Sequence, residues 1–487
     1  MPNRANQEAA APVIVRNTLY LLATYGTRLA SGLLLTVLLV RSLGPASYGQ
    51  FAFAIAVGTQ LLFLGDLGLN LFIKREIARA PDRSQPLFRR ALRLSLASTA
   101  VGVLLSTLVA VVLGRSSDFT TIALGTLYVA MSGWLALESA VLHAHERMGG
   151  ETEFTIVERV VGLAIAALAV WMGAAVTTVL LALVLGRLAA IVWVYFRHLR
   201  EWLASDPGEP TSVVPPKAAL LWIASPFALN VLATSIYQRI DVILISVYHG
   251  DLLTGFYTAA KAIVIPLGVV AAAVSTSFFP RLARAYAQGD KVVFKDLIQH
   301  AFEFVMLAAV VIAMCVYLLA TLLTQILYGH GFGITAEALQ VFALSVPIVF
   351  ANNIFGSALT ALDRQKNRAL AVAVGAIFNI VAGVLLIPQY SVIGAAVAAV
   401  ATEVVIFLLL LFLMPRAWAP RLATARLLKL AVITAVAFGS AAALGIAGRP
   451  TGLAATIAIF VAGVLLTRVY SPAAVYSIVR EMRAGLR

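Results

Sequence analysis

Acidic residues are scarce in this sequence: 22 Asp and Glu stand against 36 Lys and Arg in 487 residues, and charged residues of both signs make up only 12%. So little charge, beside 61% hydrophobic residues, excludes a water-soluble domain of this length. Cysteine is scarcer still. The single Cys315 lies inside an apolar run, which excludes an intramolecular disulfide and a cysteine-based metal site. No phosphate-binding loop of the Walker type occurs, so ATP is not expected as a direct driver. A cleavable leader is not expected either. The first apolar run is longer than a signal-peptide core and lacks a small-residue cleavage site, so it reads as a retained helix.

What fills the chain instead is a series of long apolar runs. Each is near the roughly 20 residues that a helix needs to cross about 30 Å of hydrocarbon. With a mean hydropathy of +0.95, they predict an all-α, polytopic membrane protein with about 14 transmembrane helices. The spans are expected at 13–40, 48–72, 91–113, 119–142, 154–173, 176–196, 218–247, 252–280, 299–327, 335–362, 368–388, 391–414, 427–447 and 451–468. Basic residues alternate sharply between the connections. One set of connections, with both termini, holds 28 of the 36 Lys and Arg, and the other holds Arg41, Arg115 and Arg449. By the positive-inside rule the basic set and both termini are cytoplasmic. The net charge of +14 is then a topology signal and a match to anionic lipid rather than a nucleic-acid footprint. The opposite connections are short and leave no room for an external domain.

The chain also repeats itself. GPASYGQF (44–51) follows the first span and GDLLTGFY (250–257) follows the seventh, so that Gly44, Gly49 and Phe51 match Gly250, Gly255 and Tyr257 at a constant offset. LHAHER (142–147) and LTALDR (359–364) end the fourth and tenth spans in the same way. The expected organisation is an N-lobe of spans 1–6 (1–215), a C-lobe of spans 7–12 (216–415) in pseudo-two-fold repeat, and spans 13–14 with a cytoplasmic tail (416–487). Two-lobed repeats of this kind place a substrate between the lobes near the midplane.

Ionisable groups at membrane depth are costly and so mark function by default. Arg28 lies about 18 Å along the helix axis from either end of its span, beyond the reach of an arginine stem. The first span has no acid of its own to pair with it. Arg187 lies mid-span, whereas Arg159 sits beside Glu158 near an interface and reads as a local pair. Arg239 and Lys261 are placed symmetrically about the turn at Gly250, with Asp241 between them. An Asp241–Lys261 bridge would still leave Arg239 uncompensated. Glu403 and Asp66 are acids at depth that could pair with arginines or carry a coupling ion. Glu138 and Glu303 lie near the interface and read as solvated. His143 and His145, spaced H-x-H, are a weak metal signal, and Pro226, Pro266 and Pro347 are expected to interrupt their spans. A cavity lined by central cations favours an anionic group, and the arginine fork suits phosphate.

RSLGPASYGQFAFA, GDLGLN, RIDVILI with its following turn, TSFFPRLAR and LIPQYSVIGAAVAAV together resemble the polysaccharide-transport and Wzx-type flippases. These belong to the multidrug/oligosaccharidyl-lipid/polysaccharide exporter superfamily, which includes MurJ-like proteins. The resemblance implies a flippase, not an enzyme, that carries undecaprenyl-diphosphate-linked oligosaccharide across the bacterial inner membrane by alternating access. No cofactor is implied, and a proton or sodium gradient would supply the drive. Partners would be the lipid-linked glycan, membrane lipid and other glycan-assembly proteins. Arg28, Arg239 and Lys261 are the positions that match the family's cavity cations, with Arg187 beside them and Asp241, Glu403 and Asp66 as coupling or pairing groups. A multidrug cation antiporter of the same superfamily and a membrane glycan polymerase or ligase are the competing readings. The scarcity of acid argues against the first and the short outer loops against the second.

Overall fold

The computed structural model describes the chain outside residues 1–3, 67–68, 71–72, 74–75, 78–83, 145–147, 205–216, 421–423, 444–449 and 468–487. Among the described residues every regular element is helical, so the chain is an all-α, multi-span membrane protein as its hydropathy requires. By packing it divides into two compact units, Met1–Thr258 and Ala259–Arg487.

The first unit contains α1 (Arg4–Asp66), α2 (Ser84–Val112), α3 (Phe119–Ala144), α4 (Met148–Trp171) and α5 (Val176–Val194). A π-helical turn (Tyr195–Leu199) and the short α6 (Arg200–Ala204) follow, and then the beginning of α7 (Lys217–Ala287). A straight helix of 63 residues would be about 95 Å long, three times the hydrocarbon thickness. Instead α1 reverses at Gly44, where φ is 80° and ψ 171°. The hydroxyls of Thr36 and Tyr48, twelve residues apart, consequently lie 3.3 Å from each other. Likewise α7 reverses at Gly250 (φ 77°, ψ −174°), and the Tyr257 hydroxyl donates to Asp241, sixteen residues back. Only glycine adopts that backbone conformation without a steric penalty.

The two repeated turns also pack against each other. A Cβ on Gly49 would strike the Asp251 carbonyl and the Gly255 nitrogen, and a Cβ on Gly255 would strike the Pro45 carbonyl. Pro45 corresponds to Asp251 at the same offset as Gly49 does to Gly255, so the contact is reciprocal.

Beside these turns lies the α2–α3 connection. Arg115 donates to Asp251 at 2.5 Å, to Asp118 at 2.8 Å and to Ser246, and its guanidinium lies 4.3 Å from the centre of the Phe53 ring. Gln50 donates to Asp118 at 2.8 Å. Burial works against the Arg115 charge, but the bonds and charges of Asp251 and Asp118 outweigh it and hold the guanidinium above its ordinary value. Arg115 is one of the few cations of the charge-poor connections, so both turns and this loop share the end of the unit opposite the basic loops.

Small residues let the spans approach where lipid supplies no hydrophobic drive. Gly58 and Gly125 sit where α1 crosses α3, and Gly162 meets Gly186 where α4 crosses α5. Gln60 and Ser235 exchange hydrogen bonds at 3.1 and 3.2 Å between α1 and α7.

The second unit holds the rest of α7 with α8 (Lys291–Leu318), α9 (Ala320–Tyr328), α10 (Gly333–Ala343), α11 (Val346–Ala361), α12 (Gln365–Phe412), α13 (Thr424–Ala443) and α14 (Pro450–Leu466). The expected tenth span is broken into α10 and α11 with a bend of 42°, and Pro347 begins the second piece. By contrast Pro226 and Pro266 do not break α7, whose non-helical residue is Gly250. α12 reverses at Ser391 (φ 52°), three residues after Pro388, and so carries spans 11 and 12. Asp290 caps α8 by accepting from the Val292 and Val293 amides at 3.1 and 3.0 Å. α13 and α14 pack on α8 through Val310, Met314, Leu430, Ile433 and Phe460.

Candidate substrate site

Glu151, Thr155 and Glu158 follow one another at four and three residues along α4, which puts them on one helical face. That face meets α1, α3 and α5, and between them lies a cavity of about 400 Å³. Its polar lining includes Arg28, His143, Glu151, Glu158, Arg159 and Arg187. Three guanidiniums therefore face two carboxylates across this cavity.

Each carboxylate already has partners. Glu151 accepts from the Arg28 guanidinium at 2.9 Å through one oxygen and lies 2.5 Å from His143 Nε2 through the other. Arg28 also reaches the Thr155 hydroxyl at 3.4 Å. One turn earlier the Thr24 and Thr152 hydroxyls meet at 2.9 Å, so α1 is fastened to α4 at two levels. The Glu151 side chain is 9% exposed and that of Arg28 is 37% exposed. The cation thus keeps donors toward the cavity while its counter-ion is buried.

Glu158 accepts from Arg187 Nε at 2.8 Å, and Arg187 also bonds the Tyr128 carbonyl and stacks 3.7 Å from the centre of the Tyr128 ring. Arg187 is thereby committed on two sides and ties α3, α4 and α5 together. Arg159 is held loosely: its nearest carboxylate contact is Glu158 at 3.8 Å, and its Nε has no hydrogen-bond partner among the described residues.

Of the residues expected from sequence, Arg28 and Arg187 share this cavity. Arg239 lies on α7 in the same unit, half-buried and outside that lining. Asp241 is buried and accepts from Tyr257. Lys261 and Glu403 belong to the second unit, where the Glu403 carboxylate accepts from Asn352 at 2.7 Å. The side chain of Asp66 lies outside the described residues, as does His145, and no His/Cys/Asp/Glu group suited to a metal occurs among the described residues.

Glu151, Glu158, His143 and Arg159 join the site without having been singled out for it. The signal available was the polar stripe Glu151, Thr155, Glu158 in ETEFTIVER, which an interfacial location made unremarkable.

The family described as polysaccharide biosynthesis protein matches residues 14–286, and the MatE family matches 226–385. A Shigella dysenteriae protein described as an O-antigen transporter is 27% identical over 191 residues, 39% of this chain and 47% of its own length. A Haloferax volcanii protein described as the low-salt glycan biosynthesis flippase Agl15 is 22% identical over 162 residues, 33% of this chain and 34% of its own length. The chain thus spans about half or less of the curated relatives it matches. Among solved structures, the lipid II flippase MurJ in an inward closed conformation aligns with a TM-score of 0.69 and 14% identity, over 92% of this chain and 97% of that one. An inward-facing multidrug resistance MATE transporter aligns with a TM-score of 0.59 and 16% identity, over 81% and 96%. At such identities the likeness shows a shared fold.

Proposed function

The chain belongs to the polysaccharide biosynthesis protein family, and from that premise we propose that it is a flippase for glycans carried on a lipid diphosphate. The substrate proposed is an undecaprenyl-diphosphate-linked O-antigen, capsule or exopolysaccharide repeat unit, moved across a bacterial inner membrane by a chain with both termini in the cytoplasm. One observation supports this most: the Arg28 guanidinium, at membrane depth, is open to a cavity whose carboxylates are already paired. A phosphate accepts the planar fork of arginine bidentately and would gain most where water is scarce.

In this reading Arg28 and Arg239 engage the diphosphate, and Arg159, with an unused donor, adds to them. Arg187 contributes its charge more than its donors, because Glu158 and Tyr128 take Nε and Nη1. Lys261 is a further substrate cation, while Asp241, Glu403 and Asp66 are the groups proposed for ion coupling or charge pairing. The polyprenyl tail stays in the bilayer and the sugars occupy water. A proton or sodium gradient drives alternating access, and glycan-assembly enzymes that build and use the repeat unit are the proposed partners.

The test is genetic complementation of a strain that lacks the protein. Arg28→Ala and Arg239→Ala are expected to abolish surface glycan while the protein still inserts, and the Arg→Lys variants to restore part of it. Normal export by both alanine variants overturns the proposal. The MATE fold makes a cation exporter the rival, but three guanidiniums against two paired carboxylates disfavour a cationic drug. Resistance of expressing cells to such drugs, with no effect on glycan, would favour that rival.

A further inference from the structure

Glu151 has no part in the transport scheme above, yet it holds the residue on which that scheme depends. Its carboxylate sits between two helices, with Arg28 of α1 at 2.9 Å on one oxygen and His143 of α3 at 2.5 Å on the other. The Arg28 bonds to Glu151 at 2.9 Å and to Thr155 at 3.4 Å both leave from Nη2, so an anion that takes a two-donor edge of the guanidinium competes with this carboxylate for it. A buried carboxylate stripped of its guanidinium is costly, and the neighbouring imidazole is a group with which a proton could be shared. We infer that Glu151 is a proton-linked placeholder for substrate: a phosphate group displaces it from Arg28, and the Glu151–His143 pair then takes up one proton from water.

No covalent bond changes. The anion gains Arg28, the carboxylate loses it, and the proton offsets one unit of the negative charge brought into the cavity. Linkage makes the effect reciprocal: a proton on the pair tightens anion binding, and loss of that proton returns Arg28 to Glu151 and expels the anion. The inference rests on the lipid-diphosphate reading and adds to its ion coupling a pair that the sequence did not single out for it.

Other charged and titratable groups among the described residues stand near Glu151. From α1, the Tyr20 ring lies over Gly149. Farther along α3, Glu138 is buried, with one oxygen lacking a hydrogen-bond partner among the described residues. Arg187 of α5 is committed to Glu158, and His198 beyond α5 lies 3.2 Å from Glu153. On α4 itself Arg159 contacts Glu158 at 3.8 Å. Within ion-pair distance of Glu151, among the described residues, stand Arg28 and His143.

The test is calorimetric titration of the full chain with farnesyl diphosphate, in buffers of differing ionisation heat between about pH 6 and pH 8, a window bracketing the ordinary histidine range. The wild type is expected to take up about one proton more per diphosphate than Glu151→Gln, the diphosphate's own protons being common to both. Glu151→Gln, with Arg28 freed, is expected to bind about 10-fold more tightly at the upper pH and to lose the wild type's excess pH dependence. His143→Gln leaves the Arg28 pair intact and is expected to move the uptake to lower pH. Equal proton numbers and equal pH slopes in wild type and Glu151→Gln overturn the inference. If Glu151→Gln does not fold, a His143→Gln titration identical to wild type overturns it. Binding without proton linkage removes the role of Glu151 alone, whereas no binding of farnesyl diphosphate by the wild type at any pH removes the lipid-diphosphate reading with it.

Discussion

Replacing Gly49 or Gly255 by alanine tests whether the two repeated turns form one reciprocal contact. In the folded chain a Cβ on Gly49 would stand 2.7 Å from the Asp251 carbonyl carbon and 2.8 Å from the Gly255 nitrogen, and one on Gly255 would stand 2.7 Å from the Pro45 carbonyl carbon. Ordinary contact begins near 3.4 Å and the carbonyl oxygens of Asp251 and Pro45 stand closer than their carbons, so the turns must part by well over about 0.7 Å, and the opposing groups are backbone that cannot rotate away. Overpacking of this kind costs about 1–3 kcal/mol. A cost of about 2 kcal/mol shifts an equilibrium between packed and parted turns by about 30-fold. Because the chain has one cysteine, a Cys315→Ser background accepts a spin-label pair without interference. Ala46 and Leu252 are exposed, and they occupy equivalent places in the two turns. Pulsed electron paramagnetic resonance between labels at these positions is expected to give one narrow distance in the parent. Gly49→Ala and Gly255→Ala should each broaden it toward longer values, by similar amounts. An unchanged distribution in both variants, or a response in one alone, refutes the reciprocal contact.

Two further outcomes follow from the ion pairs. Arg115→Ala leaves Asp118 and Asp251 side by side without their shared cation and removes the stacking on Phe53. Thermal unfolding in detergent is expected to show a loss of about 2 kcal/mol, discounted from the buried-pair range because Asp251 is partly exposed. An equal loss in Asp251→Asn, with no further loss in the double variant, would identify the pair as the source. Glu158→Gln is expected to destabilise the first unit by about 3 kcal/mol or more, since it leaves the buried Arg187 unpaired. Glu158→Leu with Arg187→Met should recover most of that loss if the pair is structural, and a double variant that stays as unstable as the single one refutes this.

The spans were legible because hydropathy acts residue by residue and needs no knowledge of neighbours. The turns were legible for a related reason: Gly44 and Gly250 occupy a conformation that other residues avoid, so their spacing survives in the text of the sequence. Arg28 could be found from depth alone. Its partner could not, because Glu151 lies only three residues into α4, where an acid is unremarkable, and is brought to Arg28 by the packing of α1 on α4. Adjacency gave part of the answer: Glu158 and Arg159 do form a pair, a loose one at 3.8 Å because consecutive helical residues point apart, while the close partner of Glu158 at 2.8 Å is Arg187 from α5. Pro266 did mislead, since a proline that suggests a break sits in a helix that continues through it.

The compact first unit runs to Thr258, well into α7, and this bears on how the protein is made. The contacts that bury Gly49, the carboxylate that meets Arg115 and the carbonyl that accepts from Gln60 all come from residues 235–255. A nascent chain ending before α7 would carry the first six spans with Gly49, Arg115 and Gln60 still unmet. Assembly of the first unit is therefore completed only when residues 235–255 have been made, and a chain arrested before residue 217 should be the species that quality-control proteases recognise.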